Sequence, residues 1–163
     1  MTSTVTEYQT FLEDEAATEA LGCALAAAVK RHGRGATVFL QGNLGMGKTT
    51  LSRGVMRGMG HDGAVKSPTY TIVEPYEHLE PRVYHFDLYR LGDPEELEYL
   101  GIRDYFEGPS LSLIEWAERG AGILPLPDLK LLLEPSNEGR QATLFPGTSL
   151  GKELLESLRA SGR

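Results

Sequence analysis

The chain has 163 residues, of which 40% are hydrophobic and 24% charged, proportions typical of a soluble globular protein with one domain. Its formal net charge of −7 and its lack of a Lys/Arg cluster argue against direct binding of nucleic acid, which requires a basic face. The single Cys23 excludes an intrachain disulfide, and neither a signal sequence nor a membrane-spanning stretch is found, so we expect a cytosolic protein without a membrane role.

Helices and strands alternate along the chain. In chain order we predict a helix over residues 15–31, a strand over 36–40, a helix over 50–59, strands over 70–73 and 82–86, a helix starting at Asp93, strands over 110–114, 129–133 and 141–145, and a helix over 150–158. The helices repeat apolar residues every three or four positions, whereas the strands are short apolar runs between turn residues. The link from 73 to 82 is too short for a crossover helix, which predicts an antiparallel hairpin.

A phosphate-binding motif lies between the first predicted strand and the helix at 50–59. Residues 42–49 match the full pattern G-x-x-x-x-G-K-[ST], whose glycines let backbone N–H groups approach phosphate oxygens. Lys48 would contact the β- and γ-phosphates, and the Thr49 hydroxyl would hold Mg²⁺. A strand, a glycine loop and a helix in this order place an anion at a helix N-terminus. The sequence therefore predicts a nucleotide-binding, three-layer α/β sandwich of the P-loop NTPase type, with a mixed, partly antiparallel central sheet in a single domain over residues 1–163.

Two carboxylates are candidates for the metal and for the attacking water. Asp87 and Glu115 each follow an apolar strand, where a solvated strand end is the alternative interpretation. Because Mg²⁺ takes oxygen ligands and keeps several waters, Thr49, Asp87 and Glu115 form a sufficient predicted metal set. Together with Lys48, the two acids are the predicted catalytic residues. His85 would share the strand face of Asp87, where we predict a core or hydrogen-bonding role.

The motifs resemble those of the TsaE family, bacterial ATPases of tRNA threonylcarbamoyladenosine synthesis. The resemblance covers nearly the whole chain and rests on residues 42–50, Ser67-Pro68-Thr69-Tyr70-Thr71, Val73-Glu74-Pro75-Tyr76, His85-Phe86-Asp87-Leu88-Tyr89-Arg90 and Ile114-Glu115-Trp116. Asn43 and Met46 depart from the usual loop of the family, but both occupy variable positions of the general motif.

This resemblance implies an ATP- and Mg²⁺-binding protein that hydrolyses ATP weakly and acts with the TsaB–TsaD complex. Those partners would contact the tRNA and, with TsaC, place a threonylcarbamoyl group on adenosine 37 of tRNAs that read codons beginning with A. Hydrolysis would reset the complex, and residues 67–70 would form a switch segment. The residues implied or expected to bind the nucleotide are Gly45, Met46, Gly47, Lys48, Thr49, Thr50, Thr69, Trp116 and Arg140.

Two other functions remain open on the residues alone. A small-molecule kinase has the same loop, although it usually carries an arginine-rich lid, and the arginines here are scattered. A nucleotide-dependent assembly module would need the loop without requiring hydrolysis. Since no arginine is clearly placed as a finger, we expect slow turnover by the isolated protein.

Overall fold

The computed structural model describes residues 7–42, 47–65, 68 and 71–161. The strands are β1 (Tyr8–Leu12), β2 (Ala36–Gln41), β3 (Val73–Tyr76), β4 (Arg82–Asp87), β5 (Ser110–Glu115), β6 (Leu129–Ser136) and β7 (Gly139–Pro146). The helices are α1 (Glu15–His32), α2 (Lys48–Met59), α3 (Glu96–Tyr99), α4 (Ile102–Tyr105) and α5 (Ser149–Ser161), with a 3₁₀ turn at Ala117–Gly120. Within these described ranges, no helix combines the length and the apolarity needed to cross a bilayer.

The strands form one seven-stranded sheet in the order β1-β7-β6-β2-β5-β4-β3. Its centre is parallel, because β2 pairs in parallel with β5 and β6, and β4 with β5. Its margins are antiparallel, with β3 against β4 and β7 between β6 and β1. The predicted mixed sheet and the predicted hairpin are confirmed. The parallel centre brings the carboxyl ends of β2, β4 and β5 to one edge of the sheet.

Two hydrophobic clusters cover the two faces of the sheet. Leu113 belongs to the cluster shared with α1, α2 and α5, whereas its neighbour Ile114 belongs to the cluster shared with α3 and α4. Successive side chains of a strand point to opposite faces, so the clusters lie on opposite sides of the sheet. The structure is therefore the predicted three-layer α/β sandwich.

Helices α1 and α2 approach each other closely through glycines. A Cβ added at Gly54 would lie 2.1 Å from the carbonyl oxygen of Glu19, and one added at Gly22 would lie 2.4 Å from that of Leu51. Only hydrogen fits at these positions. The contact fixes α2, whose first residue is Lys48, against the long helix α1.

The structure differs from the predictions at one strand that was missed and at two predicted elements. Strand β1 was not predicted, because its residues alternate weakly and acquire their role only by pairing with β7. The strand predicted at 70–73 is wrong in position: β3 begins at Val73, where pairing with Phe86 sets the register, and residue 70 lies outside the described ranges. The helix predicted from Asp93 is two short helices, which Gly101 separates with a φ of 69°. Asp93 is not the N-cap of α3, which is Glu95, but its side chain accepts a hydrogen bond from Glu95 N at 2.9 Å in the turn before that helix.

Candidate functional site

The two candidate carboxylates meet at the carboxyl edge of the parallel strands. Asp87 is the last residue of β4 and Glu115 the last of β5, and the register pairs these two residues directly. On its other side, Glu115 pairs with Leu40 near the end of β2. The chain leaves β2 into the glycine loop, so both acids lie beside the start of that loop. The parallel register therefore brings together residues that are far apart in sequence.

Lys48 connects the loop to these acids. It is the first residue of α2 and is buried, with an exposed fraction of 7%. Its Nζ lies 3.8 Å from Glu115 Oε1 and 4.7 Å from the ring centroid of Trp116. The preceding Gly47 has a φ of 98°, a conformation that favours glycine. This end of α2 has no side-chain cap and no acid in its first turn, so its N–H groups and its lysine present positive charge.

Glu115 is buried between two partners. His85 Nε2 donates to Glu115 Oε2 at 2.8 Å, while Lys48 Nζ faces Oε1. Each carboxylate oxygen thus has its own positively polarised neighbour, which fixes the plane of the group. The predicted hydrogen-bonding role of His85 is confirmed, but the sequence did not name its partner.

Asp87 lies half-buried two residues after His85 on β4. Its carboxylate accepts a hydrogen bond from Tyr89 N at 3.0 Å. Burial raises the pKa of Asp87, the hydrogen bond from Tyr89 opposes that rise, and the nearby Glu115 charge adds to it. A positive charge placed beside Asp87 would therefore relieve an unfavourable arrangement.

Two non-glycine residues with positive φ adjoin the acids. Trp116 has a φ of 58° directly after Glu115, and its ring lies 4.9 Å from that of Tyr89. Ile72 has a φ of 71°, and its carbonyl accepts a hydrogen bond from Asp87 N at 2.8 Å. Left-handed backbone is strained for aromatic and β-branched residues, and such strain concentrates at functional sites.

A cleft of about 460 Å³ opens beside Lys48 and Trp116, a volume within the range of ligand pockets. Its lining residues are Leu40, Gln41, Gly42, Lys48, Trp116, Glu118, Leu132, Leu133, Glu134 and Pro135. Arg140, on β7, lies close to the end of the loop, since a Cβ added at Gly47 would lie 3.6 Å from its Cδ and Nε atoms. The sequence analysis did not single out Glu118, in the 3₁₀ turn after Trp116, or Glu134, which strand β6 carries to the cleft.

The remaining predicted residues divide into three groups. Thr49 is exposed in the first turn of α2, where its hydroxyl is accessible. Thr50 is buried, and its hydroxyl donates to Glu15 Oε1 at 3.4 Å, toward α1. Gly45, Met46 and Thr69 lie outside the described residues.

The donor set determines which metal could be held. Among the described residues, no group of three or more His, Cys, Asp and Glu side chains could hold a metal ion. Mg²⁺ does not require such a group, because it keeps several waters and usually shares one or two carboxylates with phosphate oxygens. Thr49 and the half-buried Asp87 fit this kind of shared site.

Comparison with known proteins places these motifs in a family. The model described as threonylcarbamoyl adenosine biosynthesis protein TsaE matches residues 12–142. A Haemophilus influenzae protein named tRNA threonylcarbamoyladenosine biosynthesis protein TsaE is 53% identical over 120 residues, covering 74% of this chain and 76% of that protein. A Bacillus subtilis protein of the same name is 35% identical over 121 residues, covering 74% and 75% respectively.

A solved structure agrees with this result across the whole fold. The crystal structure of Bacillus subtilis YdiB matches with a TM-score of 0.80 and 26% sequence identity, covering 99% of this chain and 100% of that one. The order of motifs, the site they form and the extent of the family match agree with one another. The chain belongs to the TsaE family of threonylcarbamoyladenosine biosynthesis proteins.

Proposed function

We propose that this protein binds ATP with Mg²⁺, hydrolyses it slowly, and acts with TsaB and TsaD in forming threonylcarbamoyladenosine at position 37 of tRNA. The observation that carries the proposal is the junction of Lys48 with Glu115 at the end of β5. A buried lysine of a phosphate-loop motif faces a buried carboxylate at 3.8 Å, beside a cleft of about 460 Å³. Family membership supports the pathway.

The triphosphate would lie against the N-terminus of α2. Lys48 extends from the first position of this helix, so its ammonium group and the adjoining backbone N–H groups would face the β- and γ-phosphates. The nucleoside would occupy the cleft, with Trp116 and Glu118 on one wall and Leu132 on another. Arg140, close to Gly47, would approach the phosphates from β7.

The donors fit a magnesium ion shared with phosphate. Thr49 would contribute its hydroxyl and Asp87 its carboxylate, either directly or through water. When bound, Mg²⁺ would neutralise charge on the β- and γ-phosphate oxygens. Asp87 suits this role because its ionised form is disfavoured by burial and by Glu115, so a nearby cation stabilises it.

Glu115 would position the attacking water. When Lys48 contacts phosphate, Glu115 Oε1 can accept a hydrogen bond from water, while Oε2 stays bonded to His85. Phosphoryl transfer depends on positioning and charge neutralisation rather than on covalent chemistry. Slow hydrolysis by the isolated chain, which the family resemblance implies, would agree with a timing role.

The net charge of the chain and its family membership both support TsaB and TsaD as partners. A net charge of −7 gives this chain little electrostatic attraction for tRNA, so TsaB and TsaD would carry that contact. ATP binding would then support docking on the TsaB–TsaD complex, and hydrolysis would allow another round.

The test compares three variants with a matched control. Lys48→Ala should abolish ATP binding measured by calorimetry, whereas Glu115→Gln and Asp87→Asn should bind ATP and lose about 10²- to 10³-fold in hydrolysis. Glu156→Gln, an exposed glutamate on α5, should match the wild type. Wild-type hydrolysis rates in both acid variants would refute the metal and water assignments.

Purified TsaB, TsaC and TsaD with tRNA distinguish the alternatives. We expect Glu115→Gln to support one round of modification and to fail in multiple rounds. Equal multiple-round yield would favour an assembly module that does not require hydrolysis. Transfer of labelled phosphate from ATP to a small acceptor would instead identify a kinase.

A further inference from the structure

We propose that His85 is a positioning residue that holds the Glu115 carboxylate in the orientation needed for hydrolysis, an inference that rests on the proposed function of this site. His85 would not touch the nucleotide. It would act through its 2.8 Å hydrogen bond to Glu115 Oε2.

The sheet register makes this contact specific. Asp87 pairs with Glu115, so His85 stands two residues earlier on β4 and pairs with Leu113. His85 and Glu115 are therefore diagonal neighbours on adjacent parallel strands, and the imidazole spans the offset between them. His85 therefore reaches Glu115 from within the sheet, while Lys48 approaches from α2. One partner of Glu115 belongs to the rigid sheet, and the other belongs to the phosphate site.

The hydrogen-bonding state of the two imidazole nitrogens also favours a positioning role for His85. A carboxylate only accepts hydrogen bonds, so the contact assigns the hydrogen to Nε2. The other nitrogen, Nδ1, is buried and has no hydrogen-bond partner among the described residues. Burying a polar nitrogen without a partner is unfavourable, and a phenyl ring of similar shape would avoid that cost. Histidine at a position with an exposed fraction of 3% is therefore better explained by its contact with Glu115 than by packing.

Substitutions can separate positioning from packing. The amide nitrogen of Gln lies as many bonds from Cα as Nε2 of His, so His85→Gln can restore the donor to Glu115. The amide of Asn is one bond shorter and corresponds to Nδ1, which does not make the contact. His85→Phe keeps the ring shape and removes both nitrogens.

We expect kcat for ATP to fall about 10- to 100-fold in His85→Asn and His85→Phe, the usual effect of losing a supporting hydrogen bond behind a functional group. The kcat of His85→Gln should be at least tenfold higher than that of His85→Asn or His85→Phe. The Kd for ATP should change less than about threefold in all three variants, because Lys48 and the loop are unaltered. His78→Asn, in the exposed turn between β3 and β4, is the matched control.

The outcomes distinguish this inference from the proposed function. If the wild-type chain hydrolyses no ATP alone or with TsaB and TsaD, the proposed function fails, whatever the variants do. If the wild type is active and His85→Asn or His85→Phe keeps its kcat, the positioning role is refuted. Equal losses in His85→Gln and His85→Phe would also refute it, since they would indicate a packing role. Should His85→Asn fail to fold, the comparison of His85→Gln with His85→Phe decides in the same way.

Discussion

Replacing Gly54 with alanine tests whether close contact between α1 and α2 supports the site. The new Cβ would lie 2.1 Å from the Glu19 carbonyl oxygen and 2.8 Å from its carbon. An ordinary carbon–oxygen contact is about 3.3 Å or longer, so the helices must separate by roughly 1 Å. Neither atom belongs to a flexible side chain, and the strain must therefore be relieved by moving backbone.

The magnitude follows from two opposing effects. Overpacking of a tight interface costs about 1–3 kcal/mol. Because the new Cβ overlaps backbone atoms, we expect a cost near the upper end of this range. Alanine also stabilises the helix by up to about 1 kcal/mol relative to glycine, because its helix propensity is higher. We expect a net loss of about 2 kcal/mol, which lowers Tm by about 4–8 °C in a chain of this length.

Thermal unfolding followed by circular dichroism measures this effect, with Gly108→Ala as the control. A Cβ at Gly108 meets no atom within 4 Å, so that variant should unfold at or slightly above the wild-type temperature. Because α2 begins at Lys48, we also expect Gly54→Ala to weaken ATP binding. An unchanged Tm in Gly54→Ala would refute the argument that the two backbones are in contact.

Three further predictions concern the site and its supports. Burial raises the pKa of Asp87 above its ordinary 3.8, so the folded state holds this proton more tightly and loses stability as pH rises above that value. Asp87→Asn should therefore be more stable than the wild type to urea at pH 7 without Mg²⁺, a difference that vanishes below about pH 3.8; equal stability at pH 7 would contradict it. The emission of Trp116, the single tryptophan, should change on addition of Mg²⁺ and ATP because Lys48 Nζ lies 4.7 Å from its ring, whereas Lys48→Ala should show no change. The carboxylate of Asp128 accepts hydrogen bonds from Thr37 N at 2.8 Å and from the hydroxyl of Thr148, just before α5, at 2.6 Å. The free energy of unfolding of Asp128→Ala, measured in urea, should therefore be about 2–3 kcal/mol lower than that of the wild type. A loss below about 0.5 kcal/mol would show that these bonds contribute little.

Several features of the fold could be predicted from the sequence, because they depend on neighbouring residues. Helix α1 was predicted within one residue of its observed end, because its apolar stripe is long and Gly33 adopts the left-handed conformation that ends it. The core strands β2 and β5 were predicted close to their observed positions from short, largely apolar runs. Strand β1 was missed because its pairing depends on the distant strand β7, whereas β3 was predicted three residues before the segment that pairs with β4.

The sequence by itself determined the phosphate-loop motif, the strand ends that carry Asp87 and Glu115, and the family. These features depend on neighbouring residues and on their order along the chain. Only the tertiary structure decided that the two acids pair directly and that His85 is hydrogen-bonded to Glu115. The physical reason is that strand order and register are set by contacts between segments far apart in sequence, which no local pattern encodes.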